Sequence, residues 1–154
     1  MPAMTAAHLA VPVPGAMFQR ILVPTDLTER AAKALGLALK LSVPEGSRVT
    51  LLHVIETGGL DLDEVKPFYQ KLEQKAQRMM SAARERLGKT KTQVVQEIVY
   101  GDRAEEIVRF AAAHNIDLIV LASHKVNPSV IGRDWGTISY KVGILAQCPV
   151  LLVK

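Results

Sequence analysis

The sequence has a single cysteine, few aromatic residues and no long apolar run, and each shortage excludes a class of protein. One cysteine, Cys148, cannot form an internal disulfide framework or a metal site built from several cysteines. Aromatic residues make up 5% of the chain, too few for the stacking platforms that bind single-stranded nucleic acid. No apolar run approaches the roughly 20 residues that cross a bilayer, so we expect no membrane contact.

An excess of charge of one sign is also missing. The 19 basic and 15 acidic residues leave a formal charge of +4, too weak and dispersed to indicate a nucleic-acid-binding protein, although an anionic small ligand stays open. The segment Met1–Met17 lacks the positive flank of a secretion signal, so we expect a cytoplasmic protein. With 154 residues, 49% of them hydrophobic, the chain is expected to form one globular domain.

Apolar runs that are typical of buried strands alternate with segments of helical periodicity. The runs are short and rich in Val, Ile and Leu, as expected of strands buried on both faces of a parallel sheet. Five strands are predicted, around Ile21–Val23, Val49–Ile55, Val94–Val99, Ile116–Leu121 and Val150–Val153. This alternation predicts an α/β protein: a single doubly wound domain with a mainly parallel five-stranded sheet and four helices.

The spacing of apolar residues places a helix between each pair of strands. The four helices are predicted around Ala31–Leu41, up to Leu87 before Gly88, from Asp102 to Ala113, and from Thr137 to Ala146. Asp102 and Glu105 form a capping box at the start of the third helix. In the second helix we expect Pro67 in the first turn. Its expected buried face consists of Leu72, Ala76, Met79, Ala83 and Leu87.

The chain before the first strand differs from the rest. Residues 1–16 are rich in Ala, Pro and Val without periodicity. We expect them to form a mobile arm, or an upstream start before Met17, and residues 17–154 to form the domain.

The predicted topology indicates where a ligand would bind, because in an open α/β sheet the crevice lies beyond the carboxyl ends of the strands. The candidate site therefore comprises Pro24-Thr25-Asp26, His53-Val54 and the stretch from Ala122 to Thr137. Spacing identifies no catalytic pair and no metal-binding carboxylate cluster there, so we favour binding over enzymatic activity. Two structural roles stay open: Asp26 as a plain helix N-cap, and His53 as a core histidine.

Short motifs in a fixed order make the chain resemble the universal stress protein family from Phe18 to Lys154. They are Arg20–Asp26, Leu51–Val54, Gly101–Ile107, Asp117–Leu121, Gly136-Thr137 and Cys148–Val153. Each motif is weak, and their order is specific. The resemblance implies a Rossmann-like fold of the adenine nucleotide alpha hydrolase-like type. It also implies a regulatory module of the stress response that binds ATP or AMP.

The resemblance implies specific roles for residues of this chain. Pro24, Thr25, Asp26 and Val54 would hold adenine and ribose. A carboxylate at Asp26 can accept hydrogen bonds from ribose hydroxyls, while Val54 offers an apolar surface to the base. The phosphates would lie against Ala122, Ser123, Lys125, Gly136, Thr137, Ile138 and Ser139. A Mg ion bound with the nucleotide stays open.

The phosphate-binding loop departs from the family pattern, in which two glycines three positions apart precede a Gly-Ser or Gly-Thr pair. Only Gly136-Thr137 matches. Counting back at fixed spacing places Ser123 and Val126 on the glycine positions, whereas matching the strand end places Ala122 and Lys125 there with one inserted residue. We prefer the second alignment because it keeps the register of the strand. A lysine side chain then occupies a position where backbone would approach phosphate, although its ammonium group could itself bind one.

Three functions follow from these observations. The first is an adenine-nucleotide-binding regulatory module. The second is a family member that has lost ATP binding through its altered loop and acts by contacts with an unknown protein partner. A weak ATPase or phosphotransferase is the third. In each case we expect a homodimer joined through the apolar C-terminal strand Val150–Val153, provided that this strand lies at the edge of the sheet.

Overall fold

The computed structural model describes residues 17–124, 129 and 137–154. Five strands and four helices alternate in it along the chain. They are β1 (Arg20–Pro24), α1 (Glu29–Leu41), β2 (Arg48–Glu56), α2 (Leu62–Arg86), β3 (Gln93–Gly101), α3 (Arg103–Ala113), β4 (Leu118–Ala122), α4 (Ile138–Leu145) and β5 (Val150–Val153). The predicted α/β class is confirmed. The expected arm, residues 1–16, lies outside the described residues.

The strands form one parallel sheet in the order β3-β2-β1-β4-β5. Two separate apolar clusters cover its faces. Side chains of α1 and α2 pack on one face, around Leu35 and Met80, and side chains of α3 and α4 pack on the other, around Ile107 and Val142. The chain therefore changes face between its first and second pair of helices, and the loops after β1 and β4 diverge at the centre of the sheet. Such a switch point is where open α/β sheets bind ligands.

Helix α2 differs from the prediction at two positions. It begins at Leu62, capped by the Asp61 carboxylate, which accepts from the Asp63 N–H, so Pro67 lies in the second turn rather than the first. Met80 is buried where Met79 was expected, because Tyr69, Ala76 and Met80 fall on one stripe at helical spacing. Two adjacent methionines make this face ambiguous in the sequence, and Met79 is 39% exposed.

The two strands at the edges of the sheet are β3 and β5. The expected homodimer requires β5 to lie at the edge of the sheet, and it does. Among the described residues β5 pairs only with β4, in the register Ile119↔Val150 to Ala122↔Val153. Among the described residues, no helix is both long and apolar enough to span a membrane.

Candidate functional site

An open cleft of about 170 Å³ lies at the switch point, beyond the carboxyl ends of β1 and β4. Leu52, Val54, Ile107 and Leu121 contribute an apolar floor. Polar groups converge on it from the loop after β1, the start of α3, the end of β4 and the start of α4. The remaining lining residues are Pro24, Thr25, Asp26, Arg30, Ala31, Arg103, Ala122, His124, Thr137, Ile138 and Ser139. An apolar floor with a few convergent polar groups is typical of small-molecule sites.

The loop after β1 is fixed by its own side chains. Oγ1 of Thr25 accepts from the Leu27 N–H at 3.0 Å. Oδ1 of Asp26 accepts from the backbone N–H of Thr28 at 3.0 Å and from its hydroxyl at 2.5 Å. Leu27 has φ 67°, a left-handed conformation that is costly for a residue with a Cβ and occurs preferentially at functional sites. The loop is therefore held in one strained conformation beside the cleft.

The carboxylate of Asp26 is suited to accept hydrogen bonds from a ligand. Burial raises the pKa of Asp26, but the hydrogen bonds from Thr28 and the charge of Arg30 outweigh burial and hold the pKa below its usual value. The group is therefore ionised at neutral pH. Both recorded hydrogen bonds reach Oδ1, which leaves Oδ2 able to accept. The N-cap of α1 is Thr28, so Asp26 is not simply the helix cap.

Consecutive residues of β2 anchor Thr25 from both sides. Its N–H donates to the carbonyl of Leu52 at 2.8 Å, and its carbonyl lies 2.8 Å from Nδ1 of His53. His53 itself does not line the cleft. Its contact is structural: it fixes the loop that carries Asp26, as the core interpretation of this residue expected.

Opposite the loop after β1, the N-terminus of α4 faces the cleft. Thr137 is the N-cap, and its hydroxyl oxygen accepts from the Tyr140 N–H at 3.4 Å. Thr137, Ile138 and Ser139 all line the cleft. The unpaired N–H groups of a helix N-terminus favour an anion such as phosphate.

Of the two residues predicted for the site at the end of β4, Ala122 and Ser123, only one lines the cleft. Ala122 lines the cleft, but Ser123 does not: it is buried, and its hydroxyl accepts from the Lys154 ammonium at 3.2 Å. Side chains of successive strand residues point to opposite faces of a sheet, which explains why only one of the pair reaches the ligand side. Lys125, Gly136 and Val126 lie outside the described residues.

Sequence reasoning missed two arginines that line the cleft. Arg30 lies in the first turn of α1 and Arg103 is the first residue of α3. A signal for both exists in the sequence. The helix dipole favours acidic residues in a first turn, so an arginine there does not serve helix stability and points to another role.

The described residues also bear on metal binding. Among them, no group of three or more His, Cys, Asp or Glu side chains is arranged to hold a metal ion.

A second cavity lies between α1 and α2 on the other face of the sheet, and Thr25 and Ala31 belong to the linings of both this cavity and the cleft. Its walls are mainly apolar residues, and it includes neither Asp26 nor the start of α4. The switch-point cleft is therefore the candidate site.

Comparisons with known proteins identify the family and agree with the fold. A model of the universal stress protein family matches residues 17–154. Universal stress protein MJ0577 of Methanocaldococcus jannaschii is 30% identical over 158 residues, covering 90% of this chain and 96% of the relative. Its solved structure superposes with a TM-score of 0.74. Universal stress protein UspA of Lactobacillus plantarum is 26% identical, with 90% of this chain and 99% of that one covered and a TM-score of 0.69.

More distant structures share the fold and contain a ligand. A universal stress protein family protein of Arabidopsis thaliana with AMP bound is 17% identical, with 88% of this chain and 91% of that one covered and a TM-score of 0.61. A universal stress protein of Archaeoglobus fulgidus in complex with dAMP is 19% identical, with 90% of this chain and 99% of that one covered and a TM-score of 0.59.

Proposed function

The chain belongs to the universal stress protein family, and from this premise we propose that it is a cytoplasmic regulatory module that binds an adenine nucleotide, ATP or AMP, in the switch-point cleft. One observation carries the proposal: the ionised carboxylate of Asp26, in the loop after β1, and the N-terminus of α4, in the chain after β4, belong to the lining of the same cleft. The first suits ribose hydroxyls and the second suits phosphate.

The floor of the cleft supports the same orientation. Val54 lies at the β2 side, where an apolar surface would support the base, and Thr137 lies at the β4 side. Because β1 separates β2 from β4, these two strands lie about 10 Å apart, twice the spacing of neighbouring strands. A nucleoside monophosphate is long enough to reach both.

Nucleotide binding in two distant members of the fold supports the class of ligand. The Arabidopsis thaliana protein holds AMP, and the Archaeoglobus fulgidus protein holds dAMP. Adenine is common to both ligands. We propose an adenine mononucleotide or ATP here for the same reason, with Mg accompanying ATP through the phosphates rather than through a protein metal site.

Calorimetric titration with ATP, AMP and adenosine tests the proposal. Asp26→Ala should weaken all three by about 1.5–3 kcal/mol, the range for hydrogen bonds to a charged group. Thr137→Ala should weaken ATP and AMP more than adenosine. Asp63→Ala, which removes an exposed carboxylate from the first turn of α2 outside the cleft, is the matched control and should change nothing. Lack of binding by the parent protein at millimolar ATP and AMP would contradict the proposal.

A second function is favoured by one observation in the sequence, Lys125 at a position where the family pattern has glycine. In this alternative the protein has lost stable ATP binding and acts through contacts with a protein partner. Mass spectrometry of ligands released by denaturing the purified protein separates the two functions. If Lys125 blocks phosphate, Lys125→Gly should strengthen ATP binding; if its ammonium binds phosphate, Lys125→Ala should weaken ATP more than adenosine.

We further propose that the working unit is a homodimer joined through β5. The strand lies at the edge of the sheet, and Leu151 and Leu152 are 37% and 38% exposed. Helix α4, which packs beside β5, leaves Ile144 and Leu145 exposed as well. An apolar edge strand with an apolar neighbouring helix favours pairing with a second copy.

A further inference from the structure

Arg103 stands at the end of the cleft that lies over β2. It is four positions from Ile107 on α3, so both side chains lie on the same face of the helix. Val54 and Glu56 are two positions apart on β2 and share a face of the sheet. Val54 and Ile107 form the apolar floor here, and the Arg103–Glu56 ion pair lies at its rim.

Neither the fold nor the ion pair accounts for an arginine at this position. A cation at a helix N-terminus opposes the helix dipole. The Arg103 nitrogen lies 3.6 Å from the Glu56 carboxylate, beyond hydrogen-bonding distance, and the two side chains are 36% and 54% exposed. Pairs of this kind contribute little to stability. The ion pair is the polar contact recorded for Arg103 among the described residues, so the guanidinium donors and planar face are available to a ligand.

The position of Arg103 relative to α4 determines which part of a nucleotide it would meet. Helices α3 and α4 contact each other and pack on the same face of the sheet. At the start of α3, Arg103 pairs with Glu56 of β2, whereas at the start of α4, Thr137 lines the cleft together with Ala122 at the end of β4. The phosphates suit the N–H groups at the start of α4. The base then lies at the other end, on Val54 and beside Arg103. A guanidinium stacks well on an aromatic ring, and a purine has two faces of which the apolar floor covers only one.

We propose that Arg103 determines base binding in this protein, its guanidinium plane covering the face of the purine that is turned away from Val54. This inference rests on the proposed nucleotide function and adds a residue for recognition of the base. Glu56 holds the guanidinium at the rim before the ligand enters. Arg30, at the other rim beside Asp26, has a different role because its charge acts on the carboxylate.

Titration of ATP, AMP and adenosine into Arg103→Ala tests the proposal, with Arg109→Ala as the matched control. Arg109 is also an ion-paired arginine of α3, with Glu106 as its partner, but it lies outside the cleft lining. Removing a stacked guanidinium should weaken all three ligands by the same factor, about 5- to 30-fold. Arg103→Lys should recover part of this loss, since it keeps the charge but not the plane. Arg109→Ala should bind like the parent protein.

The outcomes separate this inference from the proposed function. If Arg103→Ala loses affinity for ATP but not for adenosine, the guanidinium contacts phosphate and the proposal is overturned. If Arg103→Ala binds all three ligands normally while Asp26→Ala does not, the cleft binds nucleotide without Arg103 and again the proposal is overturned. A parent protein that binds none of the three overturns both. Thermal unfolding of each variant confirms that it is folded before affinities are compared.

Discussion

The imidazole Nδ1 of His53 lies 2.8 Å from the carbonyl oxygen of Thr25, the residue next to Asp26. A carbonyl only accepts, so Nδ1 carries the hydrogen and donates it. Together with the bond from the Thr25 N–H to the Leu52 carbonyl, this contact ties the loop after β1 to β2. The position of the candidate ribose-binding carboxylate thus depends on a histidine outside the cleft.

His53→Ala should therefore weaken nucleotide binding without removing a cleft residue. The loss of one donor to the partly buried carbonyl should lower the free energy of unfolding by about 1 kcal/mol. His53→Asn is the matched control, because its side-chain amide can donate at a similar position and should restore much of both properties. Urea unfolding and calorimetry measure the two effects. Unchanged affinity in a folded His53→Ala protein would mean that the loop keeps its position without this bond.

The lowered pKa of Asp26 predicts a dependence of stability on pH. Because the folded pKa lies below the unfolded value of about 3.9, the carboxylate contributes its full stabilisation above that value, and the contribution disappears as the pH falls through the folded pKa. Asp26→Asn should be less stable than the parent protein at pH 7, and the difference should shrink below pH of about 4. Urea unfolding of both proteins from pH 3 to pH 7 tests this. A constant difference across the range would contradict it.

The phenol of Tyr100 should lose its proton at a higher pH than that of an ordinary tyrosine. Burial, the hydrogen bond to the Glu73 carboxylate and the negative charge of Glu73 raise the pKa of Tyr100 to about 12. The folded pKa exceeds the unfolded one, so the stabilisation is present below about pH 10 and is lost as the pH rises through the folded value. Ultraviolet titration of the parent protein and of Tyr100→Phe identifies this phenol. Glu73→Gln should bring its pKa closer to the usual value.

Gly101 holds the turn between β3 and α3 and thereby positions Arg103. Its φ is 146°, and a Cβ placed there would lie 2.8 Å from Cγ of Glu106. Gly101→Ala should cost about 1–3 kcal/mol of stability. Adding Glu106→Ala should recover the part due to the clash but not the part due to φ. Gly36→Ala is the control: its Cβ meets nothing within 4 Å inside α1, so this change should leave the protein as stable or more stable.

The fold could be predicted from the sequence because its signals are local. The limits of β5 are those predicted, and Asp102 caps α3 by accepting from the Glu105 N–H, since both features depend on residues close together in the chain. Helix α2 shows where the local pattern is insufficient, because Met80 is buried and the predicted Met79 is not. Both residues are apolar, and only packing on the sheet distinguishes them.

The site could be predicted only in part, for a different physical reason. Which strand ends meet depends on the order β3-β2-β1-β4-β5, and this order is a property of the whole sheet. Asp26 and Thr137 could be named because family motifs include them. Arg103 also belongs to a motif, Gly101–Ile107, but it could not be assigned to the cleft, because its place there depends on α3 lying over β2, three elements earlier in the chain. The sequence does not separate Ser123 from Ala122, because adjacent residues look equivalent in it although their side chains face opposite sides of a strand.

The last prediction concerns the homodimer. The carbonyls of Pro149 and Val153 accept from the N–H groups of Ile119 in β4 and of Ser123, which follows β4. The backbone groups of alternate residues, including Leu152, therefore face away from the sheet. The same strand from a second copy, antiparallel about a two-fold axis, would pair these groups and cover Leu151 and Leu152 together. We expect the parent protein to sediment as a dimer. Changing both leucines to lysine should give a folded monomer, because two like charges per strand would face each other across the axis while Val153, which packs on the core, stays intact. Glu97→Lys, an exposed change on β3 at the opposite edge, should leave the dimer unaffected. A monomeric parent, or a folded double variant that remains dimeric, would rule out this interface.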